Sequence, residues 1–320
     1  MEEIKRTAEG YVDLKGCKFG GTIRKAREVY IGDDKYYFKH DSINGLFPKS
    51  KVEYVEDSLA NSTYIYLNEL YISRMAEHFG INSVQYDLAK KGRTLGVLSK
   101  DYNIDNEATS EIGDLLNVEF YRPRNDLKYV MCNFDNEVVD PRVIGQLQNL
   151  SLFDFATLQV DRNDTNVMIT KNDSDKYNGV LILDHGYNGI AFEGRRNAKF
   201  VGRGVDSAKT FLDAYIDNRF QTTMGITKTH CTTEEYLEDV RTSPFICGKV
   251  IDKFLGKLDD FLVNGKMKEI HNELVERYNV AVDARYEDEV CYAMETMGEK
   301  LDISYSKRKE NGTLEYDAMC

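Results

Sequence analysis

The sequence predicts an α+β fold in two lobes, a small antiparallel β lobe followed by a mainly helical one. Short β-rich runs around turn clusters fill the chain up to about Lys100, and helical spacing of apolar residues dominates from Asp206 onward. Between them the chain turns polar and irregular. The domain bounds read 1–101 for the β lobe, 102–301 for the helical lobe and 302–320 for a polar tail, with the joint near Ser99-Lys100-Asp101.

The elements follow in order. Gly16-Cys17-Lys18-Phe19-Gly20-Gly21-Thr22 reads as a glycine-rich bend, and the runs 27–31 and 35–39 flank Gly32-Asp33-Asp34 as a hairpin. Ile65, Leu67, Leu70, Ile72, Met75, Ala76 and Phe79 recur at helical spacing before a Gly80 stop, and strands follow over 83–89 and 94–98. Residues 104–140 read as irregular. Val143, Ile144, Leu147, Leu150, Phe153, Phe155 and Leu158 then outline a buried helix, and 167–170 with 180–183 a second hairpin. Helices are expected over 208–216, after the capping box Thr232-x-x-Glu235, and over 246–262, 267–278 and 285–301; the tail reads as frayed. No internal repeat is present.

Composition excludes several classes. The chain has 320 residues, 42% hydrophobic and 30% charged, a globular balance. Its 42 basic and 54 acidic residues give a net charge of −12, which repels phosphate backbones and anionic bilayers, so general nucleic-acid or membrane binding is not expected. Six scattered cysteines without a CxxC pair argue against a zinc site or a disulfide framework and for a reducing compartment. No signal peptide or spanning segment is visible, which predicts a cytoplasmic protein; secretion without a signal peptide stays open.

One constellation carries chemistry. Asp161-Arg162-Asn163-Asp164-Thr165-Asn166 lies between the buried helix and a strand, and the next strand ends in Leu183-Asp184-His185-Gly186. Phosphoryl transfer needs one carboxylate to orient the attacking hydroxyl, here Asp161, and an Asn and an Asp to hold Mg²⁺, here Asn166 and Asp184. The Asp-x4-Asn spacing also occurs at Asp101/Asn106, Asp173/Asn178, Asp213/Asn218 and Asp259/Asn264, so spacing alone decides nothing. Only the Asp161 copy follows a long apolar helix, enters a strand and is answered by an Asp at the next strand end. The β lobe supplies Lys39 at a strand end and Glu69 on the following helix, a pair able to place an ammonium on the α/β-phosphates of ATP. Phe19-Gly20-Gly21-Thr22 allows backbone N–H groups close to phosphate. His185 reads as a packing residue, and the 21 tyrosines as filler of the core and lobe interface.

These residues, with Tyr36-Tyr37-Phe38-Lys39, Asn68-Glu69-Leu70-Tyr71 and Met75 to Ile81, resemble the HipA-like serine/threonine kinases, whose atypical protein-kinase fold is related to phosphoinositide 3/4-kinases. The resemblance spans residues 15–260, and the chain is most similar to compact stand-alone members, the CtkA-type kinases. It implies an ATP- and Mg²⁺-dependent phosphotransferase acting on Ser or Thr hydroxyls of protein, itself included. It implies Asp161 as catalytic, Asn166 and Asp184 as metal ligands, and Phe19, Gly20, Gly21, Thr22, Lys39 and Glu69 around the phosphates, with adenine against Leu98, Ser99 and Lys100. Thr22 is by position the implied autophosphorylation site, and an antitoxin-like or regulatory protein partner is implied as well. Residues 186–205 match nothing recognisable, and 184–192 also resemble type II phosphatidylinositol kinases. A lipid or small-molecule acceptor, or a nucleotide-holding pseudokinase scaffold, are therefore the alternatives. The segment from Lys15 to Arg27 holds five cationic residues and no acidic one, a basic stretch in an acidic chain.

Overall fold

The computed structural model describes residues 4–8, 10–23, 26–39, 68–92, 94–102, 109–116, 126–159, 162, 164–171, 174–185, 219–220, 225–228, 231–278 and 284–312. The expected helix 208–216 and the segment 186–205 lie outside them.

Six strands form the first sheet: β1 (Val12–Asp13), β2 (Lys18–Ile23), β3 (Ala26–Ile31), β4 (Asp34–Lys39), β6 (Tyr86–Lys91) and β7 (Thr94–Lys100), in the order β1-β6-β7-β4-β3-β2. The β3–β4 hairpin closes with Ile31 opposite Asp34, so Gly32-Asp33 is a two-residue turn with Gly32 at φ 61°, as its tight twist requires. The expected glycine-rich bend is instead mostly strand. Between the pairs Phe19↔Val29 and Thr22↔Arg27 the register shifts, and Gly20-Gly21 occupy that irregularity. Every pair in this sheet is antiparallel except β1–β6. The sheet curls: Lys91 at the end of β6 sits 3.4 Å above the Phe19 ring of β2, four strands away in the order. It wraps its own small core of Val12, Leu14, Val29, Phe38, Ala89 and Leu98.

Helix α1, described over residues 68–78, follows β4 in the sequence but packs into the main core. Phe79 at its end meets Phe153, Phe254 and Phe261 at ring distances of 5.1–5.6 Å. The second sheet, β5 (Asn82–Ser83), β10 (Gly179–Ile182), β9 (Val167–Thr170) and β8 (Thr109–Glu111), carries the expected hairpin at its centre.

The helical lobe contains α2 (Leu127–Asn133), α3 (Arg142–Ala156), α4 (Thr233–Thr242), α5 (Gly248–Val263), α6 (Lys266–Tyr278) and α7 (Ala284–Asn311). Two of these differ from expectation. α2 falls in the stretch read as irregular; Asp126 caps it by accepting from Tyr129 N–H at 2.8 Å, and Leu127, Val130 and Met131 bury one face. α7 does not stop at Leu301 but continues to Asn311, with Ser304, Tyr305 and Arg308 buried. Arg308 donates from its two terminal nitrogens to the carbonyls of Val240, Ser243 and Ile246 at 2.8–3.0 Å, which anchors the end of α7 inside the lobe. The stretch read as a frayed tail is thus partly core. Cys17, Cys132, Cys231 and Cys291 are free thiols, whereas Cys247 is disulfide-bonded, a bond the cysteine spacing did not suggest.

Asp87 on β6 ties three parts together: Arg6 (3.4 Å), Arg277 (2.7 Å) and the Tyr278 hydroxyl all converge on it. The capping box at α4 forms as the sequence indicates, with Thr232 accepting from Glu235 N–H (3.1 Å) and Glu235 from Thr232 N–H (2.8 Å). Thr232→Ala is expected to cost about 1 kcal/mol in urea unfolding, with the slope unchanged. No helix among the described residues is long and apolar enough to cross a membrane.

Candidate active site

Lys39 is the last residue of β4, and Gly96 of β7 lets the two strands meet there. A Cβ on Gly96 would lie 2.3 Å from the Lys39 carbonyl oxygen and 2.8 Å from the Phe38 ring. From this strand end the Lys39 ammonium reaches two carboxylates. Its Nζ donates to Glu69 Oε1 of α1 at 2.8 Å and forms a short ion pair with Asp184, just beyond β10. Burial opposes charge on Lys39, yet the two carboxylates outweigh it and hold the ammonium above the ordinary lysine value. For Glu69, which is wholly buried, burial dominates and raises the pKa, with Lys39 and the His185 N–H pulling the other way. These shifts oppose each other across one contact. One ammonium facing two carboxylates favours the charged lysine, and that is the direction that governs the pair.

Glu69 has a second task. Its Oε2 accepts the His185 N–H at 2.6 Å, so one side chain ties β4 to the chain after β10. The neighbouring peptides are held as tightly. Leu183 N–H donates to the Asn166 carbonyl (3.2 Å), the Leu183 carbonyl accepts from Arg162 (3.0 Å), and Asp184 N–H donates to the Tyr86 hydroxyl (3.0 Å). Asp184 itself adopts φ 57°, a left-handed conformation that short polar residues tolerate at some cost.

Behind these groups lies a buried network absent from the sequence expectations. Arg162, with no exposed surface, makes a two-pronged contact with Asp154 of α3, Nε to Oδ2 at 3.0 Å and Nη2 to Oδ1 at 2.9 Å. Burial raises the Asp154 carboxyl pKa even against Arg162. Arg162 also approaches His185 Nδ1 at 3.4–3.5 Å. Because a guanidinium only donates, Nδ1 accepts, and the imidazole carries its proton on Nε2, directed at Ser83 Oγ at 2.7 Å. Burial, followed by the charges of Arg162 and Lys39, holds His185 well below its ordinary pKa and therefore neutral. Burial likewise raises the Tyr86 phenol, whose ring meets His185 edge-on at 6.0 Å. Two signals were available: a lone carboxylate, Asp154, in the apolar run of α3, and an arginine immediately after Asp161.

The remaining sequence candidates are distributed as follows. Asn166, buried, ends the 3-10 turn Asp164–Asn166 and adjoins Leu183 through its carbonyl. Gly20 and Gly21 lie in β2; a Cβ on Gly20 would clash with Glu28 Oε2 at 2.3 Å, and one on Gly21 would meet nothing. The Phe19 ring is flanked by Lys91 and, at 5.3 Å, by Arg27. Leu98 is part of the small core and Ser99 is buried opposite Tyr86, while Lys100 points outward toward Asp34 at 3.5 Å. Asp161 and the Thr22 side chain lie outside the described residues.

Asn166 and Asp184 offer oxygen donors suited to a hard divalent ion, and the Asp184 carboxylate already engages a positive group, the Lys39 ammonium.

In three dimensions the chain is similar to the crystal structure of the proinflammatory kinase CtkA from Helicobacter pylori. The TM-score is 0.64 at 14% identity, covering 94% of this chain and 99% of that one. HipA of Shewanella oneidensis MR-1, solved with HipB and operator DNA, gives a TM-score of 0.45 at 12% identity, over 91% of this chain and 66% of that one. No protein-family model and no curated protein matches the sequence. The fold is the two-lobed, kinase-like one that the sequence predicted.

Proposed function

We propose that this chain is an ATP- and Mg²⁺-dependent phosphotransferase that moves the γ-phosphate to a Ser or Thr hydroxyl of protein, itself included. The observation that carries the reading is the convergence of Lys39, Glu69 and Asp184 from three separate elements onto one ion-paired cluster. The likeness in fold to a solved kinase supports it.

In this reading Lys39, held by Glu69, presents its ammonium to the α/β-phosphates. Asn166 and Asp184 hold the metal, which when bound neutralises phosphate charge. Asp161 orients the acceptor hydroxyl and accepts its proton. The bend and strand of Phe19 to Thr22 cover the phosphates, adenine lies along Leu98 to Lys100, and Thr22 is the self-modified residue. A regulatory protein partner belongs to the same proposal.

Mass spectrometry of the purified protein after incubation with Mg·ATP tests the reading. Phosphate is expected on Ser or Thr, and a map of the sites reports whether Thr22 is among them. Absence of both protein phosphorylation and magnesium-dependent ATP turnover would overturn it, and lipid labelling without protein labelling would overturn the protein acceptor.

A further inference from the structure

We propose that the Tyr86 hydroxyl is a positioning group, holding Asp184 in the left-handed conformation that aims its carboxylate as a metal ligand. The inference rests on the phosphotransferase reading and deepens it. Asp184 is one of two described non-glycine residues with positive φ, and it stands where the chain leaves β10. Four hydrogen bonds fix the peptides around it, and they divide the labour. Asn166 and Arg162 fix Leu183, Glu69 fixes His185, and Tyr86 holds the N–H of Asp184 itself.

Tyr86 is well placed for this. It belongs to β6, pairs with Ser99 across β6–β7, and packs its ring edge-on against His185. Its own position is therefore set by the curled sheet, whereas Asp184 follows a strand of the second sheet. The Tyr86–Asp184 bond thus lets one sheet set the backbone at the end of the other. Without the hydroxyl, the half-buried Asp184 N–H loses its protein acceptor, and rotation of that peptide to a right-handed conformation becomes competitive. The carboxylate would then leave its present direction while Lys39, Glu69 and Asn166 remain in place. The expected signature is a weakened metal site in an otherwise folded protein with an unchanged nucleotide site.

The test uses Tyr86→Phe in the full chain, with Tyr236→Phe as control, since Tyr236 is a buried tyrosine hydrogen-bonded to Ser151 Oγ at 2.8 Å outside the cluster. Mn²⁺ binding in the presence of a non-hydrolysable ATP analogue is followed by electron paramagnetic resonance, and turnover is titrated with Mg²⁺. In Tyr86→Phe the Mn²⁺ half-saturation is expected to rise about tenfold and the Mg²⁺ requirement with it. KM for ATP should change less than about twofold, and saturating Mg²⁺ should restore kcat. Tyr236→Phe should shift neither metal titration. An unshifted Mn²⁺ titration in Tyr86→Phe, or an equal shift in both variants, overturns the inference while the phosphotransferase reading stands. Failure of the wild-type chain to bind Mn²⁺ with nucleotide overturns that reading, and this inference with it.

Discussion

Asp184→Ala is expected to lower magnesium-dependent phosphate transfer by about 10³-fold or more, a loss of ~4 kcal/mol of transition-state stabilisation, in a protein that remains folded. The fold survives because the buried partner of the cluster does not depend on Asp184. Lys39 keeps its 2.8 Å contact with Glu69, and Glu69 keeps the His185 N–H. No buried charge is left alone. Alanine at φ 57° costs about 1 kcal/mol, so Asp184→Asn is the companion variant: asparagine tolerates that conformation and removes only the charge. Both should fall together in a labelled-ATP assay, and Asp161→Ala with them. Retention of more than about a tenth of wild-type rate by Asp184→Asn, equivalent to ~1.4 kcal/mol, would remove Asp184 from the proposed machinery.

The second large effect concerns stability. Arg162→Met should cost about 3–5 kcal/mol in urea unfolding, because it strands Asp154, itself 1% exposed, without its counter-charge and leaves the Leu183 carbonyl without a donor. The double variant Arg162→Met with Asp154→Leu replaces the ion pair by apolar packing and is expected to recover most of that loss. It does not restore the hydrogen bond to Leu183 or the contact with His185, so phosphate transfer should stay depressed while stability returns. A single Arg162→Met variant within about 1 kcal/mol of wild type would show that the pair contributes little.

These two predictions mark where the sequence could and could not be read. Lys39 and Glu69 were visible as a strand-end lysine and an acid on the next helix, since each occupies a position fixed by local pattern. Tyr86, Arg162 and Asp154 act through partners 98, 21 and 8 residues away, and nothing local in a tyrosine of a strand distinguishes a hydrogen-bonded hydroxyl from filler. The glycine pair in β2 read as a bend because glycine signals a turn, while the structure absorbs it in a shift of register. α2 was missed for its length: seven residues make two turns, too few for periodicity to rise above a polar surrounding. The end of α7 was misjudged from composition, because the carbonyls that accept from Arg308 lie 62 to 68 residues earlier. Asp161, the most conspicuous sequence candidate, lies outside the described residues, so its role rests on its place between α3 and β9.

The knot of contacts at Asp87 also bears on how the chain is made. Asp87 and Tyr278 are 191 residues apart, and synthesis at about 5–20 residues per second separates their emergence by roughly 10–40 s. During that interval α1 gains its cover in steps: Phe79 meets Phe153 once α3 is made, and Phe254 and Phe261 only with α5. The first lobe is therefore complete only once α6 has left the ribosome. Truncations ending before α6 are expected to be captured by chaperones or to aggregate.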